Sequence, residues 1–177
     1  VVNNAGLVQA RTIEELNGGI VLHGGSTGIV ANTGTLDASG KNSGETGGSV
    51  RVLGEKVGLF GHAVVDVSGQ TGGGTALIGG DYQGRNPAIQ NAQATYIGQD
   101  AVIKTDAIEN GDGGRAIVWA DDVTRAYGNI SARGGRYGGD GGFVEVSGKK
   151  HLDFRTQVDT QAPQGKIGTL LLDPYDI

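Results

Sequence analysis

Hydrophobic and polar residues alternate along this chain in short runs of three to five, separated by Gly, Asn, Asp and Ser. No segment sustains the 3.6-residue period of an amphipathic helix, whereas period-2 alternation recurs from end to end, so the runs predict strands. They also predict a repeat. A glycine pair leads into an apolar alternation at Gly18-Gly19-Ile20-Val21-Leu22-His23, Gly47-Gly48-Ser49-Val50-Arg51-Val52 and Gly73-Gly74-Thr75-Ala76-Leu77-Ile78. Gly113-Gly114-Arg115-Ala116-Ile117-Val118 and Gly141-Gly142-Phe143-Val144-Glu145-Val146 follow, and Ile167-Gly168-Thr169-Leu170-Leu171-Leu172 closes the series. The second glycines stand at 19, 48, 74, 114, 142 and 168, so the intervals are 29, 26, 40, 28 and 26 residues. The long interval reads as an ordinary repeat carrying an insertion near 81–95 (DYQGRNPAIQNAQAT).

A second column keeps the same beat: Val8-Gln9-Ala10, Leu36-Asp37-Ala38, Val65-Asp66-Val67, Ile103-Lys104-Thr105, Ile130-Ser131-Ala132 and Val158-Asp159-Thr160. Its one long step falls in the same repeat. A weaker third column runs through Ile29-Val30, Val57 with Leu59, Tyr96-Ile97, Ala126-Tyr127 and Leu152 with Phe154. A unit of three short strands cannot bury its own apolar face. Stacking like units buries it, each strand bonded to its counterparts ~4.8 Å above and below. Two-residue hairpin signatures are scarce, which argues against a sandwich or propeller. The predicted fold is all-β: a right-handed parallel β-helix of about six coils, 26–29 residues each, with the crossover rule setting the hand.

In the glycine-led column the inward positions are predicted at Val21, Val50, Ala76, Ala116, Val144 and Leu170, and again at His23, Val52, Ile78, Val118, Val146 and Leu172. His23 is the polar exception, expected to be a hydrogen-bonded histidine near the first coil. The glycines are expected at corners, where φ is positive or the chain bends sharply. The outward face reads Leu22, Arg51, Leu77, Ile117, Glu145 and Leu171, four aliphatics of six where water should be. Such a face calls for a cover. The insertion is placed to fold across Leu77 and Ile117, with a second chain as the alternative.

Composition narrows the partners. The 177 residues include 35 Gly and 3 Pro, with no Cys or Met, and the formal net charge is −5. An acidic surface does not suit a phosphate backbone, so no nucleic acid is expected. No apolar run approaches the ~20 residues of a membrane-spanning helix. Without Cys there are no disulfides, thiolate metal sites or cysteine nucleophiles. A sequence opening Val1-Val2-Asn3-Asn4 is expected to be a processed product or segment of a larger protein, with 1–177 forming one domain.

Four segments, TALIGGDYQGRNP (75–87), ENGDGGRAIVWADDVTRAYGNISARGG (109–135), GGFVEVSGKKHLDF (141–154) and GTLLLDPYDI (168–177), carry a resemblance. With the preceding coils, nearly the whole chain resembles the filamentous-haemagglutinin family, large exoproteins of Gram-negative two-partner secretion. The resemblance implies a right-handed β-helix, export through an outer-membrane barrel transporter and an extracellular or cell-surface location. It further implies roles in adhesion, aggregation or biofilm, for which host or cell-surface glycans would be partners. The family's secretion domain carries Asn-Pro-Asn motifs, whereas the one Asn-Pro here, Asn86-Pro87, runs into Ala88. The chain is therefore expected downstream of that domain, as shaft.

Candidate chemistry is sparse. Stacking turns the second column into an outward ladder of Gln9, Asp37, Asp66, Lys104, Ser131 and Asp159. Neighbouring Asp37 and Asp66 would stand about 5 Å apart, as the carboxyls of retaining glycosidases do, which keeps a carbohydrate-active β-helix enzyme as an alternative. No Arg, His and aromatic cluster surrounds the pair, and turn-flanking carboxylates are the default. Asp112 and Asp140, in Asn110-Gly111-Asp112-Gly113-Gly114 and Gly135-Arg136-Tyr137-Gly138-Gly139-Asp140, are weak calcium candidates. They lack the tandem nonapeptides of a calcium β-roll, and a calcium-stabilised surface-layer or sheath protein is the other alternative. Gly34 to Lys41 and Gly142 to Lys149 both miss phosphate-loop spacing. His23, His62 and His151 fall in separate coils. No catalytic residue and no cofactor is assigned. The function expected is a non-enzymatic structural and adhesive shaft. Its open ends would meet the rest of a parent exoprotein or identical subunits stacked head to tail into a filament.

Overall fold

The computed structural model describes residues 1–9 and 18–174. Ala10, one member of the second column, lies outside them. Eighteen strands appear among the described residues, three to a coil. Coil one holds β1 (Val2–Asn4), β2 (Leu7–Gln9) and β3 (Gly19–His23), and coil two β4 (Ile29–Asn32), β5 (Thr35–Asp37) and β6 (Ser49–Leu53). Coil three holds β7 (Lys56–Leu59), β8 (Val64–Asp66) and β9 (Thr75–Ile78), and coil four β10 (Ala94–Ile97), β11 (Val102–Lys104) and β12 (Arg115–Ala120). Coil five holds β13 (Val123–Ala126), β14 (Asn129–Ser131) and β15 (Phe143–Gly148), and coil six β16 (His151–Phe154), β17 (Gln157–Asp159) and β18 (Thr169–Leu171). Counterparts pair in parallel, giving sheets β1-β4-β7-β10-β13-β16, β2-β5-β8-β11-β14-β17 and β3-β6-β9-β12-β15-β18. The fold is a parallel β-solenoid of six turns.

Register follows side-chain size. Val8, Leu36, Val65, Ile103, Ile130 and Val158 stack as one inward column of the second sheet. In the third sheet Val50, Ala76, Ala116 and Val144 stack, as do Val52, Ile78, Val118 and Val146, and all eight are fully buried. The first sheet tolerates polar groups inward because each finds a partner. The Thr95 hydroxyl donates to the Trp119 carbonyl at 2.7 Å, and the Thr124 hydroxyl to that of Ser147 at 2.8 Å. Asn32 donates to the Gly34 carbonyl and accepts from Asn4.

The first coil departs from the sequence expectation. Ile20 pairs with Val50 and Leu22 with Val52, so Val21 points outward and is 59 % exposed. A one-residue slip turns every side chain of a strand over. Here it places Ile20 and Leu22 against the core and sends His23 to the surface. The glycine pair misled the alignment, because Gly18 takes the place under Gly48 while Gly19 pairs with Ser49. At the other end Leu170 keeps register with Val144 yet is 41 % exposed, being on the last rung; Leu172 is half-buried against the core.

The expectation of positive φ holds for Gly25, Gly44, Gly61, Gly72, Gly79, Gly84, Gly111 and Gly139, but not for the glycine-led column. Gly48, Gly74, Gly114, Gly142 and Gly168, one in each of coils two to six, do not lie in the left-handed region. A Cβ on any of them would come within 2.0–2.1 Å of a carbonyl oxygen in the coil below. Close backbone approach between coils, not positive φ, is what requires glycine in this column.

Candidate functional site

The insertion leaves coil three after β9 and rejoins at β10, crossing the outer face of the third sheet. Asp81 starts its single 3-10 turn, Tyr82–Gly84, by accepting from the Tyr82 amide at 2.7 Å. Beneath it Leu77, Ile117 and Trp119 form a second buried cluster, against which Ile89 and Phe143 pack. The insertion is the cover that the outward Leu77 and Ile117 call for. The Arg115 guanidinium lies 5.4 Å from the Tyr82 ring centre and 6.0 Å from that of Phe143, and pairs with Asp81 at 3.3 Å.

Glu145, on the same outward face, is completely buried. Its two carboxylate oxygens accept from the Gln83 amide at 3.2 and 3.1 Å. Burial pushes its carboxyl above the ordinary carboxylate range, and the charge of Asp173 adds to this; Gln83, Ser147 and Arg115 act the other way. A raised pKa means the folded chain holds this proton more tightly than the unfolded chain. Stability from this group is therefore greatest at acid pH and falls as pH rises from the ordinary carboxylate range through the raised value. Glu145→Gln should flatten that decline, raising the melting temperature by a few degrees at neutral pH and changing it little near pH 4 in thermal scans.

The outward ladder of the second sheet is in register through Gln9, Asp37, Asp66, Lys104, Ser131 and Asp159. Asp37 and Asp66 are thus direct neighbours, but each is turned to its own corner. Asp66 accepts from the Ser68 amide at 3.0 Å and from the Ser68 hydroxyl. Asp37 accepts from the Ser39 amide and hydroxyl and from Gln9, with Lys41 at 3.4 Å. Burial works against the Asp37 charge, but these donors outweigh it and hold the carboxyl well below the usual range. Carboxylates so engaged cap turns. Asp66→Ala should cost about 1 kcal/mol in urea unfolding, the worth of one such capping interaction.

Asp112 and Asp140 instead bond across coils. Asp112 accepts from the Asp140 amide at 2.7 Å, and Asp140 from the Lys166 amide at 2.8 Å, so each fastens the corner of the next coil. Among the described residues no group of three or more His, Asp or Glu is placed to hold a metal ion. His23 meets Gln90 at 3.0 Å, whereas His62 and His151 lie on other coils.

Sequence reasoning missed an aromatic strip on the first sheet. Phe60 stacks on Tyr96 with ring centres 5.1 Å apart, and Tyr96 meets Tyr127 edge-on at 5.8 Å. Arg155 lies 5.9 Å from the Tyr127 ring, whose hydroxyl donates to Asp153 at 2.7 Å. A shallow, mostly apolar hollow of about 250 Å³ opens beside Phe60 and Tyr96. Spacing alone does not find it, since Tyr96 pairs with Arg125 and stands two positions out of register with Tyr127 of the next coil. Their alignment with Phe60 depends on register, and Phe60 fits because Gly58 leaves room beneath its ring.

The fold and part of the sequence have a counterpart in a secretion domain. The chain is similar to the HMW1 secretion domain from Haemophilus influenzae, known from a crystal structure, with a TM-score of 0.75 and 33 % identity. The likeness covers 93 % of this chain and 42 % of that one, so the chain spans less than half of its neighbour's length. No family profile and no curated protein matches the sequence. The likeness bears on the placement argued from the missing Asn-Pro-Asn motif, because the neighbour is itself a secretion domain.

Proposed function

We propose that this chain is a non-enzymatic β-helix shaft segment of a secreted Gram-negative exoprotein of the filamentous-haemagglutinin type, with structural and adhesive roles. Its export would pass through an outer-membrane barrel partner. The observation that carries the exoprotein part of this reading is 33 % identity to the HMW1 secretion domain over 93 % of the chain, together with an unbroken parallel stack, while the placement as shaft rests on the missing Asn-Pro-Asn motif. The non-enzymatic part is supported by the engagement of Asp37 and Asp66 in their own turns. Leu170, in the inward column beside Val144 yet 41 % exposed on the last described rung, suits continuation by the parent chain or by a second copy. Glycan contact, if the segment adheres, would fall on the aromatic strip of Phe60, Tyr96 and Tyr127.

A second reading has a specific observation behind it. The neighbour is a secretion domain, which favours a part in export itself. Deleting the segment from the full exoprotein, expressed with its transporter, separates the two. Export retained with adherence or aggregation lost supports the shaft; loss of export supports the secretion role; neither effect sinks both. Electron microscopy of the isolated segment tests stacking, with fibres supporting a head-to-tail filament and single short particles ruling it out.

A further inference from the structure

The contacts of the insertion reach far beyond the coil that emits it. Neighbouring coils are joined by bonds between residues roughly one repeat apart, such as Asn4 with Asn32, 28 positions on. The insertion makes bonds of a different order. Toward the far end, the Gln83 amide meets Glu145 of coil five, 62 positions away, and the Gln83 side chain donates at 2.9 Å to Asp173, 90 positions away and just past β18 of coil six. Toward coil one, the Gln90 side chain donates to the Gly25 carbonyl at 3.1 Å, and its oxygen meets His23 at 3.0 Å, at separations of 65 and 67. Between these ends Asp81 pairs with Arg115, and Asn91 donates to Asp121 at 3.1 Å, both partners on or beside β12. One short segment therefore reaches from His23 on β3 to Asp173, two residues past β18.

The backbone records what this reach requires. Gln83 is the one non-glycine residue with positive φ among those described, at 51°. A side chain there is strained where glycine would not be. The glutamine amide is the group that spans to Asp173, so the strain accompanies a function that glycine could not perform.

We propose that the insertion is an axial strap that pins both end coils and closes only once the six coils have stacked. A solenoid held by nearest-neighbour contacts alone opens coil by coil, each coil opening without regard to distant ones. Gln90 fastens coil one, and Gln83 fastens coil six. The Gln90 anchor needs coils one to three, but the Gln83 link to Asp173 exists only once coil six is in place, so the strap is completed last and its final link forms after the folding transition state. Interactions formed after that barrier slow unfolding and leave folding unchanged.

The test uses two surface substitutions, Gln90→Ala and Gln83→Ala, with Gln99→Ala as a control outside the strap. Native-state hydrogen exchange is followed strand by strand. In Gln90→Ala the β3 amides should exchange about 5- to 10-fold faster, with β18 unchanged. In Gln83→Ala, the acceleration should move to β18. Stopped-flow denaturant jumps on the double variant should show unfolding about 5- to 10-fold faster and refolding within twofold of the parent. Circular dichroism identical to the parent establishes that each variant folds. End-rung exchange that matches the Gln99→Ala control would overturn the pinning, and refolding slowed in proportion to lost stability would overturn the late closure.

Discussion

Val144→Asp is expected to cost about 4 kcal/mol or more and to remove the cooperative unfolding transition at 37 °C. Val144 lies on β15 at zero exposure, stacked directly between Ala116 of coil four and Leu170 of coil six. The substitution replaces two methyl groups with a carboxylate that no water reaches. A charge taken from water without a partner costs several kcal/mol, or is neutralised by a large pKa shift at similar expense. The column offers no rescue, since its flanking inward members, Ala116, Val118 and Val146, are apolar. Val144→Ala separates the two contributions: it leaves only a small cavity and should cost about 2 kcal/mol. Urea unfolding of both variants, followed by far-ultraviolet circular dichroism, gives the comparison. An aspartate variant within about 1 kcal/mol of the parent would mean that Val144 is not in a sealed interior.

That prediction relies on register, which the sequence carried unevenly. The repeat was legible because alternation of β-branched residues recurs at a nearly constant interval in two columns that slip together at the insertion. Five of the six coils align on that beat. The first does not, because Gly18-Gly19 offers two ways to match Gly47-Gly48, and only packing decides between them. Ile20 and Leu22 fill the interior better than Val21 and His23, so the core selects the other register.

The cover over Leu77 and Ile117 was legible for a similar reason, as aliphatic side chains on a solvent face need shielding and the one long interval lies beside them. The reach of that cover was not. Nothing local in Gln83 or Gln90 reveals bonds to Asp173 or to Gly25, which lie 90 and 65 positions away and become neighbours only through stacking of the coils between. The acids were visible and their partners were not. Asp37, Asp66, Asp112 and Asp140 look alike in sequence whether they bind a ligand or a backbone amide. The structure gives Asp37 and Asp66 the amide two residues on, and Asp112 and Asp140 an amide of the next coil.

Gly114→Ala should be about as damaging as a large cavity in the core, costing about 3 kcal/mol or more, although it adds a single methyl group. Glycine-to-alanine changes are often mildly stabilising where the backbone conformation suits alanine. Gly114 does not have positive φ, so conformation alone would permit the change. Space does not. The new Cβ would stand 2.1 Å from the Gly74 oxygen and 2.7 Å from the Gly73 carbonyl carbon, both backbone atoms of the coil below. That Gly74 oxygen also accepts from the Arg115 amide at 2.9 Å, so moving the coils apart breaks the ladder at the rung where it starts. Backbone cannot rotate aside as a side chain can, which places this among the severe overpacking cases. Gly138→Ala is the matched control: no atom lies within 4 Å of its added methyl and its φ is not positive. It should change stability by less than about 0.5 kcal/mol, or raise it slightly through the unfolded state. Thermal unfolding of the two variants, measured side by side, decides the matter. Equal melting temperatures would show that the coils can part to admit a methyl group, and that the glycine column is not set by close approach.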